Sequence, residues 1–170
     1  MIPRRSDMVV TRWGARFMGR RFPVSIGRGG ITHDKREGDM ATPFGVWYLV
    51  MGGYRADRVS LPHSAIPLAA IRPRDIWSDD PADPNYNQWL SRHAHPFSHE
   101  KLRRAGRQYD IVLMSDWNWP QPLPGRGSAI FVHHWRRPRY PTAGCLAFRP
   151  DHLRWIVEHW QPESRIILRG

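Results

Sequence analysis

The segment Ser128–Phe148 reads "SAIFVHHWRRPRYPTAGCLAF" and holds Cys145, the one cysteine of the chain. Its first six residues alternate in the manner of a strand, so Phe131 and His133 share one face while Ile130 and Val132 share the other. His133 stands at the end of that strand, twelve positions ahead of Cys145, where sheet gives way to an arginine- and proline-rich loop. Gly144 lets the backbone turn sharply before the thiol and bring N–H groups close to a bound carbonyl oxygen. A nucleophilic cysteine needs a base, backbone donors for an oxyanion and an open approach. This stretch offers the first two. The plainer possibility is that a lone cysteine is a small buried hydrophobe. His134 also leaves open which imidazole faces the thiol.

Outward from that segment, strand-like runs dominate. "MVVTRWG", "RRFPVSIG", "FGVWYLVMGGYR", "QYDIVLMSDW" and the terminal "ESRIILRG" are rich in β-branched and aromatic residues and bounded by Gly, Pro or Asp. Two segments read as helices. "SHEKLRRAG" (Ser98–Gly106) opens on a serine cap and closes on glycine. "RPDHLRWIVEHW" takes Asp151 as its N-cap and places Leu153, Ile156, Val157 and Trp160 at helical spacing. Its positive end is expected to turn toward Cys145 and lower a thiol pKa that starts near about 8.5. The stretch Pro62–Pro96 reads as a long irregular loop, too rich in Trp and Tyr for disorder. Residues 1–170 thus read as one mostly β domain with a few short helices.

The net charge of +11 comes almost entirely from arginine, since Lys35 and Lys101 are the only lysines. Such a balance suits a nucleic acid, an anionic membrane surface or a carboxylate-rich polymer. One cysteine forms no internal disulfide. The run Phe44–Met51 is far short of the roughly 20 residues that span a bilayer, and the first residues show no secretory signal. His93, His95, His99 and Glu100 cluster in "RHAHPFSHE" but fit no tight zinc template, so no metal and no cofactor are expected. His99 reads instead as a cap or a cleft residue. "GRGG" at Gly27 reads as a turn. Trp117, Trp119 and Trp135 are the stacking candidates. Arg126, Arg136, Arg137 and Arg139 either pair with substrate carboxylates or form a solvated basic face.

At these residues the chain resembles the L,D-transpeptidase family with the YkuD-type catalytic domain, bacterial enzymes that cross-link peptidoglycan stem peptides. The family motif is a histidine at a strand end, a loop, then Ser/Thr–His–Gly–Cys and a hydrophobic residue. His133, Thr142 and Gly144–Cys145–Leu146 match it. "GRGGITHDKREGDMATPFGVWYLV" resembles the family's early Thr–Pro–x–Gly segment, and the similarity runs through most of the chain from Gly27, as in a compact branch of the family. Ala143 replaces the motif's second histidine, and Ala147 stands where members often carry arginine.

The resemblance implies a β-sandwich or barrel-like catalytic domain, a Cys145 nucleophile, His133 as base, and an oxyanion site at the Gly144 and Cys145 N–H groups. Substrate-binding positions are expected at Arg126, His134, Tyr140, Thr142, Arg149 and His99. It further implies peptidoglycan stem peptides as partners, a carbapenem adduct, a monomer, and a place in the periplasm or cell envelope. The acyl-enzyme formed with loss of D-alanine would pass to an amine of another stem, giving a 3-3 or a 1-3 cross-link. With water as acceptor the activity is that of an L,D-carboxypeptidase. A basic nucleic-acid-binding module with a structural Cys145 is the rival from another class.

Overall fold

A computed structural model describes residues 2–170. The chain begins with strands β1 (Met8–Thr11), β2 (Gly14–Phe17) and β3 (Arg20–Phe22), followed by the short β4 (Ile31–Thr32) and β5 (Thr42–Pro43). Next come β6 (Gly45–Trp47), β7 (Leu49–Tyr54) and β8 (Leu68–Ala70), then β9 (Asp75–Ser78), β10 (Trp89–Ser91) and β11 (His99–Lys101). The last third holds β12 (Ile111–Ser115), β13 (Phe131–His134), β14 (Leu146–Phe148), helix α1 (Pro150–Glu158) and β15 (Ile166–Leu168).

Two five-stranded sheets carry the fold, ordered β3-β2-β1-β15-β6 and β14-β13-β12-β7-β8. The first closes the two ends of the chain on each other, with β1 and β15 parallel and Met8 opposite Ile166. Met8, Val10, Phe17 and Phe22 of that sheet share one apolar core with Ile111, Leu113, Val132, Leu146 and Phe148 of the second. Leu153, Ile156 and Val157 of α1 complete it. This is the sandwich-like β architecture expected from the sequence, with one α-helix among the described residues where a few were expected.

The second sheet is covered on its other face too. There Val112, Met114 and Phe131 pack with Ile71, Trp77, Leu102 and Tyr109, and Cys145 joins this smaller cluster. Burial on both faces explains why every residue of β12 and β13 is buried and why β12 is apolar from Ile111 to Met114. Alternate residues here go to the two clusters, Val132 of β13 and the preceding Ile130 to one and Phe131 to the other, as the alternation required.

Three local expectations fail. Ser98–Gly106 is not a helix: His99–Lys101 pairs antiparallel with β9, Glu100 lying opposite Trp77. A nine-residue pattern with one cap is weak against a ladder of cross-strand bonds and a buried Trp77. Pro62–Pro96 is not wholly irregular, because it supplies β8, β9 and β10, two of which form a three-stranded sheet with β11. Asp151 does not cap α1. Arg149 occupies the N-cap, Pro150 takes the first turn where its missing N–H costs nothing, and Asp151 sits in that turn paired with Arg149.

Candidate active site

The turn that carries Cys145 is built by hydroxyls. Thr142 Oγ1 donates to the Cys145 carbonyl at 2.6 Å and accepts the Gly144 N–H at 3.1 Å. Thr42 Oγ1 donates to the Gly144 carbonyl at 2.8 Å and accepts the Gly27 N–H at 2.8 Å. Gly144 has a φ of +141°, and a Cβ there would lie 2.8 Å from the Ala41 carbonyl oxygen. Only glycine fits that position. The segment around Thr42 and the cysteine turn therefore form one unit, although they are far apart in the chain.

β13 and β14 run parallel, with Val132 opposite Leu146 and His133 opposite Ala147. Cys145 thus lies beside Phe131, on the sheet face that His133 also shares. Its Sγ donates to the Ala129 carbonyl at 3.1 Å and accepts the Phe131 N–H at 3.4 Å. His133 Nδ1 meets the His134 carbonyl oxygen at 2.7 Å, which makes Nδ1 the donor and leaves Nε2 the acceptor. A backbone carbonyl, supplied by the very next residue, orients the imidazole.

Both groups rest uncharged. Burial lowers the His133 pKa to about 4, against the opposing pull of the His134 carbonyl. Burial also pushes the Cys145 thiol up to about 12, with the Glu100 charge adding to it. The expected pull of the α1 N-terminus on the thiol does not occur. All of β14, roughly 10 Å of strand, separates the thiol from the helix start, and a helix-end field fades within about one turn.

Around this pair stand residues that no sequence motif marks. The Tyr109 ring packs edge-on against His133 at 5.3 Å and against Phe131 at 6.0 Å. Tyr109 Oη donates to Glu100 Oε2 at 2.6 Å, and Arg104 Nη2 donates to the same oxygen at 3.0 Å. The Arg104 guanidinium lies 4.3 Å above the Tyr109 ring. Burial raises the Glu100 pKa, while the Arg104 charge opposes it. Lys35 is buried, with Nζ bonded to Asp39 and to the Arg36 carbonyl, and its charge favours the thiolate.

Of the positions expected to bind substrate, several lie elsewhere. His99 and Glu100 are neighbours on β11 and point to opposite faces, so His99 faces away from Tyr109 and packs edge-on against His95 at 5.5 Å. His95 is itself held by Asp83 at 2.6 Å. Arg149 is at the far end of β14, bonded to Asp151. His134 is buried with Nδ1 on the Arg107 carbonyl at 3.2 Å, and burial lowers its pKa. Thr142 is committed to the turn, and so is the Gly144 N–H, which leaves Cys145 as the uncommitted backbone donor of the expected oxyanion pair. Arg126 rims a cleft of about 220 Å³ with His33, Lys35 and Trp117. Tyr140 sits on the loop before the thiol with Arg137 4.2 Å over its ring. No group of three or more His, Cys, Asp or Glu side chains among the described residues is disposed to hold a metal ion.

The family model of the YkuD L,D-transpeptidase catalytic domain matches residues 5–168. No curated protein matches the chain. A solved L,D-transpeptidase from Mycobacterium smegmatis is similar at 14% identity and a TM-score of 0.45, covering 96% of this chain and 58% of that one. The chain therefore spans a little over half the length of that protein.

Proposed function

The chain belongs to the L,D-transpeptidase catalytic-domain family, and on that footing we propose that it is a cysteine acyltransferase that cross-links peptidoglycan in the cell envelope. The observation that supports this reading is the register of β13 and β14, which sets Cys145 beside Phe131 and His133 two residues along the same face, with His133 Nδ1 tied to the His134 carbonyl and Nε2 left as an acceptor. Such an imidazole can take a proton but has none to give from Nε2, which is the state a base needs.

In the first half-reaction the Cys145 proton passes to His133 Nε2 as Sγ attacks the carbonyl of the L-centre at stem position three. The resting thiol and imidazole are both neutral, so deprotonation and attack belong to one step, unlike a preformed thiolate–imidazolium pair. The Cys145 N–H donates to the oxyanion. The C–N bond to D-alanine then breaks, and the leaving amine takes the proton from His133. In the second half-reaction an amine of another stem attacks the thioester carbon and gives a proton to His133 Nε2, the C–S bond breaks, and His133 passes that proton to the departing thiolate. That amine belongs to the third residue of the acceptor stem or to its first. Arg126 and Tyr140 are assigned to the approach of the stem peptides, outside the reacting atoms.

The test is incubation of the purified protein with tetrapeptide muropeptides and mass spectrometry of the products. Cross-linked dimers with release of D-alanine are expected, and fragmentation locates the new bond. Tripeptides alone would replace transfer by hydrolysis, and unchanged tetrapeptide would end the proposal.

A further inference from the structure

Glu100 and Arg104 form an ion pair in which each member uses only part of its capacity. Arg104 Nη2 meets Glu100 Oε2 at 3.0 Å, Arg104 Nε donates to the Lys101 carbonyl at 3.2 Å, and Tyr109 Oη also donates to Oε2. Glu100 Oε1 and Arg104 Nη1 make no hydrogen bond among the described residues. The two side chains are 29% and 37% exposed, so the pair is only partly covered and stands at the protein surface. Tyr109 anchors the pair from one side and packs against His133 from the other, placing it at the edge of the thiol–imidazole face.

We propose that Glu100 and Arg104 are the seat of the acyl acceptor and select an amine whose carbon also bears a carboxylate. This rests on the transpeptidase reading above. An open anionic oxygen beside an open guanidinium N–H is complementary to a zwitterion, ammonium to Oε1 and carboxylate to Nη1. A bare amine satisfies only Glu100 and leaves the guanidinium unanswered. A bare acid does the reverse. Tyr109 keeps the two atoms at a set distance from His133, because its hydroxyl holds the carboxylate and its face carries the guanidinium.

The chemistry balances with this seat in place. The acceptor arrives as an ammonium and loses one proton by way of Glu100 to bulk water. The free amine attacks the thioester carbon, forming C–N as C–S breaks. Its second proton passes through His133 to the departing thiolate and restores the Cys145 thiol.

The experiment uses the full chain, a soluble disaccharide-tetrapeptide donor, and glycine, glycinamide or ethylamine as competing acceptors. Wild-type protein is expected to favour glycine over glycinamide and ethylamine by about tenfold or more, the usual size for a hydrogen bond to a charged group. In Glu100→Gln and Arg104→Gln that preference should collapse toward parity, with the acyl-enzyme persisting in intact-protein mass spectra. Arg104→Lys keeps the charge and serves if the glutamine variant does not fold, as judged by circular dichroism. A glycine preference retained in the folded variants, or absent from the wild type, overturns the seat. Failure of the wild type to form any acyl-enzyme is a separate signal, and it removes the transpeptidase reading together with this one.

Discussion

The Thr42 hydroxyl donates to the Gly144 carbonyl at 2.8 Å across 102 residues of sequence, and the same oxygen accepts the Gly27 N–H. Thr42 is fully buried, so neither partner has water to fall back on. Thr42→Val keeps the shape and removes the hydroxyl, at a cost of about 1–3 kcal/mol for each polar group left unsatisfied. Thermal unfolding should drop by several degrees, and acylation by a carbapenem should slow because the cysteine turn loses its brace. Thr42→Ser should restore most of both. Full stability and full acylation in the valine variant would contradict the brace.

Gly144→Ala strikes the same joint from the other side. The added Cβ meets the Ala41 carbonyl oxygen at 2.8 Å, and alanine disfavours a φ of +141°. The expected loss is on the order of 2–3 kcal/mol, measured by denaturant titration. Turnover should fall by more than the unfolded fraction accounts for, since the backbone that must yield is the one preceding Thr42.

Cys145→Ala should abolish D-alanine release and leave the fold intact. The thiol pKa of about 12 adds a second readout. Alkylation of Cys145 by iodoacetamide should be slow at neutral pH and still climbing above pH 9. An alkylation plateau between pH 5 and 8 would reveal a thiolate–imidazolium pair and overturn the neutral resting state.

Stability should depend on pH through His133. Its folded pKa of about 4 lies below the unfolded value of 6.5. Between those values the unfolded chain binds the extra proton, so stability is complete above pH 6.5 and drains away as pH falls toward 4. The span corresponds to ~3 kcal/mol. The paired carboxylates Asp7 and Asp39 titrate below this window. His134 and His152, whose pKa values burial also lowers, contribute to the same slope, so His133→Gln should reduce the slope of unfolding free energy between pH 6.5 and 4 without abolishing it, and an unchanged slope would exclude His133 as a source.

The two adjacent imidazoles should also separate by function. His133→Ala is expected to lose most turnover, because its side chain stands on the face of β13 beside which Cys145 lies. His134→Ala should retain much more, since that ring is buried against the Arg107 carbonyl. Product release by mass spectrometry ranks them, and the reverse order would mean that the assigned roles are exchanged.

The alternation in "SAIFVH" set which side chains share a face, and no tertiary contact was needed for that: β geometry forces it two residues at a time. The six strand-like runs and the family motif were legible for the same reason, being local in sequence. The region from Ser98 to Gly106 was not. Its serine, glycine and scattered leucine allow a helix, and only the ladder to β9 and the buried Trp77 made it a strand. That one change of structure decides the site, because β pairing turns Glu100 toward Tyr109 and turns His99 away from it. The charge states were equally out of reach, since the neutral thiol and imidazole result from burial under a second layer of chain. Sequence by itself determined which residues share a strand face and carry the family motif; folding on both faces of β12 and β13 decided what surrounds them, because contact and desolvation are properties of the assembled layers.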